Sequence, residues 1–192
     1  HADELAFLWG QRRAALHDIR YTLGSFQCLS ERVEAHVAGL LAVPSALPAF
    51  LDQRLAEAQD RDDVFAASYG LLRWGDPAMV AKVEGLFAEA RGPRLVGLRD
   101  ALGFAPVLGS ALAVQAMLRQ REPEGAVAAA TVLSNQRLLD PLDARFCALL
   151  VVDDPAACEQ AWRVAAFVDG GLAVKGAPVP KRCRGDRSRL DA

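Results

Sequence analysis

Residues 76–90 read DPAMVAKVEGLFAEA, and Met79, Val80, Val83, Leu86, Phe87 and Ala90 recur at the spacing i, i+1, i+4, i+7, i+8, i+11. That period places them on one face of an α-helix, while Asp76-Pro77 supplies an N-cap followed by proline at the first helical position. One amphipathic helix of this length does not hold together alone, because ordering its backbone costs more than its apolar stripe returns. It must be packed among others of its kind.

Working outward, the rest of the chain supplies them. To the N-terminal side, residues 3–17 carry Leu5, Leu8, Trp9 and Leu16 along one stripe. After a connection over residues 19–29, Ser30 reads as the N-cap of a helix with Val33, Val37, Leu40 and Leu41 on one face, ended by Pro44. A third helix over residues 46–58 is expected to bury Leu47, Phe50, Leu51 and Leu55. A fourth, from Asp62, turns Val64, Phe65, Leu71 and Leu72 inward and stops at Gly75. Beyond the fifth, shorter helices are predicted over residues 93–102, 107–120, 125–135, 141–152 and 155–168. From Gly171 the pattern gives way to a Gly-, Pro- and Arg-rich tail, residues 171–192, read as mobile. Residues 1–170 are read as one helical repeat domain.

Composition agrees. The 192 residues are 52% hydrophobic, with a mean hydropathy of +0.12, which excludes a disordered chain. Ala and Leu dominate, so propensity favours helix over strand throughout. A net charge of −2 gives no overall field to attract nucleic acid or anionic lipid. The charge is uneven: Lys175, Lys181, Arg182, Arg184, Arg187 and Arg189 against Asp186 and Asp191 give the tail +4, leaving about −6 on the helical body. No apolar run is long enough to span a bilayer, and the Ala2-Asp3-Glu4 opening lacks the basic region of a secretory signal; the protein is read as cytoplasmic, with no membrane partner.

Short connections place successive helices side by side as antiparallel pairs, which build either a closed bundle or an open stack. The segment ASYGLLRWGDPAM, residues 67–79, aligns with RFCALLVVDDPAA, residues 145–157, at an offset of 78, about two HEAT-type units. In both, an apolar helix end runs into an Asp-Pro turn. The expected fold is all-α, with antiparallel helix pairs stacked as a HEAT-like α-α solenoid, a right-handed superhelix.

A resemblance bears on the setting. At residues 20–40, RYTLGSFQCLSERVEAHVAGL, and again at residues 62–106, the chain resembles an uncharacterised proteobacterial family of HEAT-repeat-like proteins commonly encoded among type VI secretion genes. SERVEAH and DDVFAASYGLL are its most specific parts. The opening HADELAFLWGQRRAAL and, more weakly, AAATVLSNQRLLDPLDARF at residues 128–146 extend it. Members generally continue with further repeats, whereas this chain ends in VKGAPVPKRCRGDRSRLDA and starts at His1, so it reads as a fragment or a shortened member. A shortened solenoid exposes an uncapped apolar end through which the chain can self-associate. The family carries no established site residues.

The residues themselves offer little to an enzyme. Cys28, Cys147, Cys158 and Cys183 form no CxxC, and they read as reduced thiols. His17 and His36 flank a helix–loop–helix that could bring them together, but no metal-ligand spacing accompanies them. No G-x-S-x-G elbow is present, and the glycines of LGFAPVLG, residues 102–109, and of Gly92-Pro93 fit turns rather than a phosphate cradle. No catalytic, cofactor-binding or metal residue is assigned, and no cofactor is implied. The expected function is a non-catalytic protein-protein interaction scaffold, a cytoplasmic accessory to type VI secretion, with another protein as partner. The alternative is a HEAT-like nucleic-acid-binding or DNA repair protein. Trp9, Trp74 and Trp162 lie on or near apolar stripes, which favours packing over base stacking, so nucleic acid is not the expected partner. Clustering of Arg12, Arg13, Arg20 and Arg32 with Trp9 on one concave surface would favour the alternative; a buried Trp9 would count against it.

Overall fold

In the computed structural model, residues 1–42, 46–106 and 111–169 are described, and all regular structure among them is α-helical. The ten helices are α1 (Ala2–Ala15), α2 (Leu23–Leu41), α3 (Leu47–Glu57), α4 (Arg61–Trp74), α5 (Pro77–Glu89), α6 (Gly92–Phe104), α7 (Ala111–Gln120), α8 (Pro123–Asn135), α9 (Ala144–Leu149) and α10 (Pro155–Asp169). Local chemistry sets most of their starts. Asp76 accepts from the amides of Ala78 and Met79, Asp143 from those of Arg145 and Phe146, and Asp154 from those of Ala156 and Ala157. These carboxylates satisfy amides that a helix end leaves without partners. Gly75, at φ 79°, closes α4 in the left-handed conformation as read from the sequence.

Three expectations are corrected. Helix α2 starts at Leu23, because Thr22 caps it through Ser25; Ser30 lies inside it and its hydroxyl donates back to the Phe26 carbonyl. Phe50 is 46% exposed, since the buried stripe of α3 is the narrower Leu47, Leu51, Leu55 row at four-residue spacing. Helix α9 is confined to Ala144–Leu149 because Asp143 caps it, leaving Pro141 and Leu142 in the preceding turn. The tail and Pro44 lie outside the described residues.

Two units are distinguished by packing, His1–Ala113 and Val114–Ala192. The first is organised around α4, which packs most extensively on α6, α1 and α3 and also touches α2 and α5. Every residue from Val64 to Leu72 is buried. A helix enclosed on all sides needs no polar face, and VFAASYGLL carries no charge over its whole length. Ala66, Ala67 and Gly70 let neighbours come close, and Ser68 satisfies its hydroxyl on the Val64 carbonyl. The second unit follows the same rule with α8, whose residues 125–130 and 132–134 are buried; α8 packs chiefly on α10, and α9 touches both. There the Leu150 carbonyl accepts from the Trp162 indole at 3.0 Å and from the Cys158 thiol at 3.2 Å.

The tightest approach in the first unit is between α4 and α6. A Cβ added at Gly97 would lie 2.5 Å from the Arg61 carbonyl oxygen and 2.8 Å from the Val64 Cβ, so only glycine permits this crossing. Gly85, on the exposed side of α5, has nothing within 4 Å. Gly97→Ala is expected to destabilise the protein by about 1–3 kcal/mol through overpacking. Gly85→Ala should stabilise it by about 0.5–1 kcal/mol by restricting the unfolded chain. Urea melts of the two variants check this, and equal shifts would contradict the assigned α4–α6 contact.

Candidate functional site

Four helices of the first unit each aim a short row of side chains at one place. On α1, Arg12 follows Trp9 at three residues; on α2, Phe26, Ser30 and Glu34 follow at four; on α4, so do Phe65, Tyr69 and Arg73; on α6, Asp100 and Phe104. These spacings put each row on a single helix face.

The rows meet as an aromatic cluster topped by charge. The Trp9 and Phe65 rings stack, 3.7 Å between centroids and 8° between planes, and Phe104 leans on Trp9 and Tyr69 at 5.3 and 5.5 Å. Above them the Arg12 guanidinium lies 4.5 Å from the centroid of Phe26, 4.8 Å from Phe104 and 5.1 Å from Trp9. Such placements over ring faces are favourable cation–π contacts. The Nε of Arg12 donates to Ser30 Oγ at 3.0 Å. Burial lowers the pKa of Arg12, and the nearby Asp100 and Tyr69 partly offset that.

Beside this cage runs a second network. The hydroxyl of Tyr69, a residue only 1% exposed, donates to Glu34 Oε1 at 2.7 Å. Arg73 pairs with the other Glu34 oxygen and donates to the Tyr69 oxygen at 2.8 Å. Burial, reinforced by the bond to Glu34, pushes the Tyr69 phenol up to about 12. The Glu34 bond likewise raises Arg73. On the opposite flank Asp100 accepts from Arg61 at 2.6 Å and from Arg99 at 2.7 Å, tying α4 to α6.

The residues weighed in the sequence are distributed differently. Trp9 is 6% exposed and covered by Phe65, so it offers no face to a base. Arg13 pairs with Asp62 and Arg20 with Asp18, while Arg32 is exposed; the four arginines do not gather around Trp9. His36 meets His1, Nδ1 to Nδ1 at 3.2 Å, and His17 is exposed. Among the described residues no group of three or more His, Cys, Asp or Glu is placed to hold a metal. Cys28 and Cys147 are exposed thiols. Residues 107–109 of the LGFAPVLG loop lie outside the described residues.

The sequence reading missed Glu34, Tyr69, Arg73, Asp100 and Phe104 as partners. The available signal was the four-residue spacing of Phe65, Tyr69 and Arg73, which carries a polar tip and a cation down the face of a buried helix.

No protein-family model, curated protein or solved structure matches the chain.

The Tyr69 environment has a consequence for pH. A phenol whose folded pKa lies above its unfolded value of about 10 favours the fold below pH 10, and that contribution is lost as pH rises through about 12. Spectrophotometric titration of the two tyrosines, Tyr21 and Tyr69, should therefore show one ionising only near pH 12, and Tyr69→Phe should remove that step. A late step that survives Tyr69→Phe would contradict the burial and hydrogen bonding assigned to this group.

Proposed function

We propose that the chain is a non-catalytic protein-protein interaction scaffold, a cytoplasmic accessory to type VI secretion whose helix pairs stack as a HEAT-like solenoid. One observation carries the binding part: a half-buried surface of Arg12, Phe26, Phe104 and Arg73, backed by the buried Tyr69 and held by four helices. Arginine and aromatic side chains fixed in this way are the residue types that dominate binding energy at protein interfaces. Rigid helices present them with little entropy left to lose on docking.

Packing within each unit supports the stacked reading. Helices α4 and α6, the second members of the pairs α3/α4 and α5/α6, lie directly against one another, as do α8 and α10 in the second unit. The first pair departs from that order, because α1 rather than α2 takes the larger share of the α4 surface. The secretion setting rests on the resemblance at residues 20–40 and 62–106. No helix among the described residues is long and apolar enough to cross a membrane.

The test is affinity purification of the tagged chain from its host, with and without residues 171–192, followed by mass spectrometry. Recovery of secretion-apparatus proteins is expected, and comparing the two forms assigns any role of the tail. Recovery of the chain alone, or of nuclease-sensitive nucleic acid, would overturn the scaffold reading.

A further inference from the structure

The cluster around Arg12 is short of acceptors. Arg13, Arg61, Arg73 and Arg99, on the same helices, each reach a carboxylate. Arg12 reaches none within ion-pair distance among the described residues, where its side-chain hydrogen bond is the one from Nε to Ser30. Asp100, the acid that biases Arg12, is already engaged by Arg61 and Arg99, so three guanidinium charges face one carboxylate. The indole N–H of Trp9, whose ring is part of the cage, is buried and also lacks an acceptor. A buried donor without a partner is costly, which applies to the indole N–H, whereas the half-buried Arg12 guanidinium has terminal nitrogens available to an acceptor from outside the chain.

The surroundings narrow the ligand further. Leu16, one helical turn beyond Arg12, and Leu23, one turn before Phe26, are exposed, as are Ile19 and Tyr21 between them. An arginine fixed between rings and bordered by exposed apolar side chains complements a carboxylate that is itself flanked by apolar groups.

We propose that Arg12 is a carboxylate-binding residue, which receives the terminal carboxylate of an apolar-ended segment of the partner polypeptide. The inference names the contact chemistry of the scaffold proposed above and rests on that reading for its biological partner. The three rings and Ser30 hold the guanidinium in place before the partner arrives, so its planar donor edge is presented at small entropic cost.

The probe is N-acetyl-leucine, compared with the neutral N-acetyl-leucinamide and followed through the Trp9 indole and Arg12 Nε resonances of the full chain by NMR. The carboxylate is expected to shift both saturably, and the amide to shift neither. Arg12→Gln should weaken binding about tenfold or more, as loss of a charge-assisted hydrogen bond does. Arg12→Lys keeps a cation between the rings yet loses the planar fork, so it should also bind more weakly, while the exposed-site variant Arg32→Gln binds as the wild type does. An equal response to the amide, no saturable response, or indifference to both Arg12 substitutions would show a purely structural arginine and overturn the proposal. The two readings fail separately. A co-purified protein that binds Arg12→Gln as well as wild type sinks the carboxylate site alone, whereas carboxylate binding without any protein partner sinks the scaffold alone.

Discussion

The enclosure of α4 is the constraint on which the first unit depends. From Val64 to Leu72 the helix has no side open to water, and the small residues Ala66, Ala67, Ser68 and Gly70 among its five larger side chains leave room for neighbours to approach closely. Close packing of helices at such surfaces replaces the missing side-chain volume with backbone proximity, and Gly97 of α6 supplies it by resting on the Arg61 carbonyl and Val64. The contact leaves little tolerance, because the atom opposed to Gly97 belongs to the backbone and cannot rotate away.

The polar surface follows from the same arrangement. Phe65, Tyr69 and Arg73 descend one face of α4, so the position of that helix decides where the stacked Trp9 ring and the Glu34 carboxylate find partners. Arg61 at the other end of α4 holds Asp100 of α6, four residues before Phe104, and Phe104 forms one wall of the Arg12 cage. Partly buried ion pairs of this sort add less to stability than to geometry, since desolvation offsets much of the Coulombic gain. Here they hold a guanidinium and its ring neighbours in register.

What the sequence disclosed was the local part. The limits of α5 were readable because Asp76 and Pro77 act within one turn of the helix they start, and Gly75 ended α4 for an equally local reason. The breadth of each buried face was harder to see. Only Val83 and Phe87 are buried within α5, with Met79, Val80 and Leu86 left partly open, whereas in α4 small residues that contribute little to an apolar pattern are fully enclosed. Ser30 looked like a cap because serine before an acidic turn usually is one, yet Thr22 had already begun the helix. The candidate site was visible only as separate residues: Trp9 and Arg12 stood out, but Glu34 meets Tyr69 and Arg73 across 35 and 39 residues of chain. Nothing in local spacing reports a contact of that range. The aligned segments at residues 67–79 and 145–157 share the Asp-Pro cap in atomic detail, but they equate the central α4 with the six-residue α9, so their likeness is one of turn chemistry.

The most direct test of an architecture organised around two enclosed helices is native-state hydrogen exchange resolved by mass spectrometry. Amides of residues 64–72 and 126–134 should exchange last in their respective units and only through global opening, after those at the exposed start of α5, because local fluctuations release the least-enclosed segments first. Exchange of residues 64–72 as fast as that of residues 78–82 would contradict the central position of α4 and, with it, the fixed geometry of the Arg12 cage.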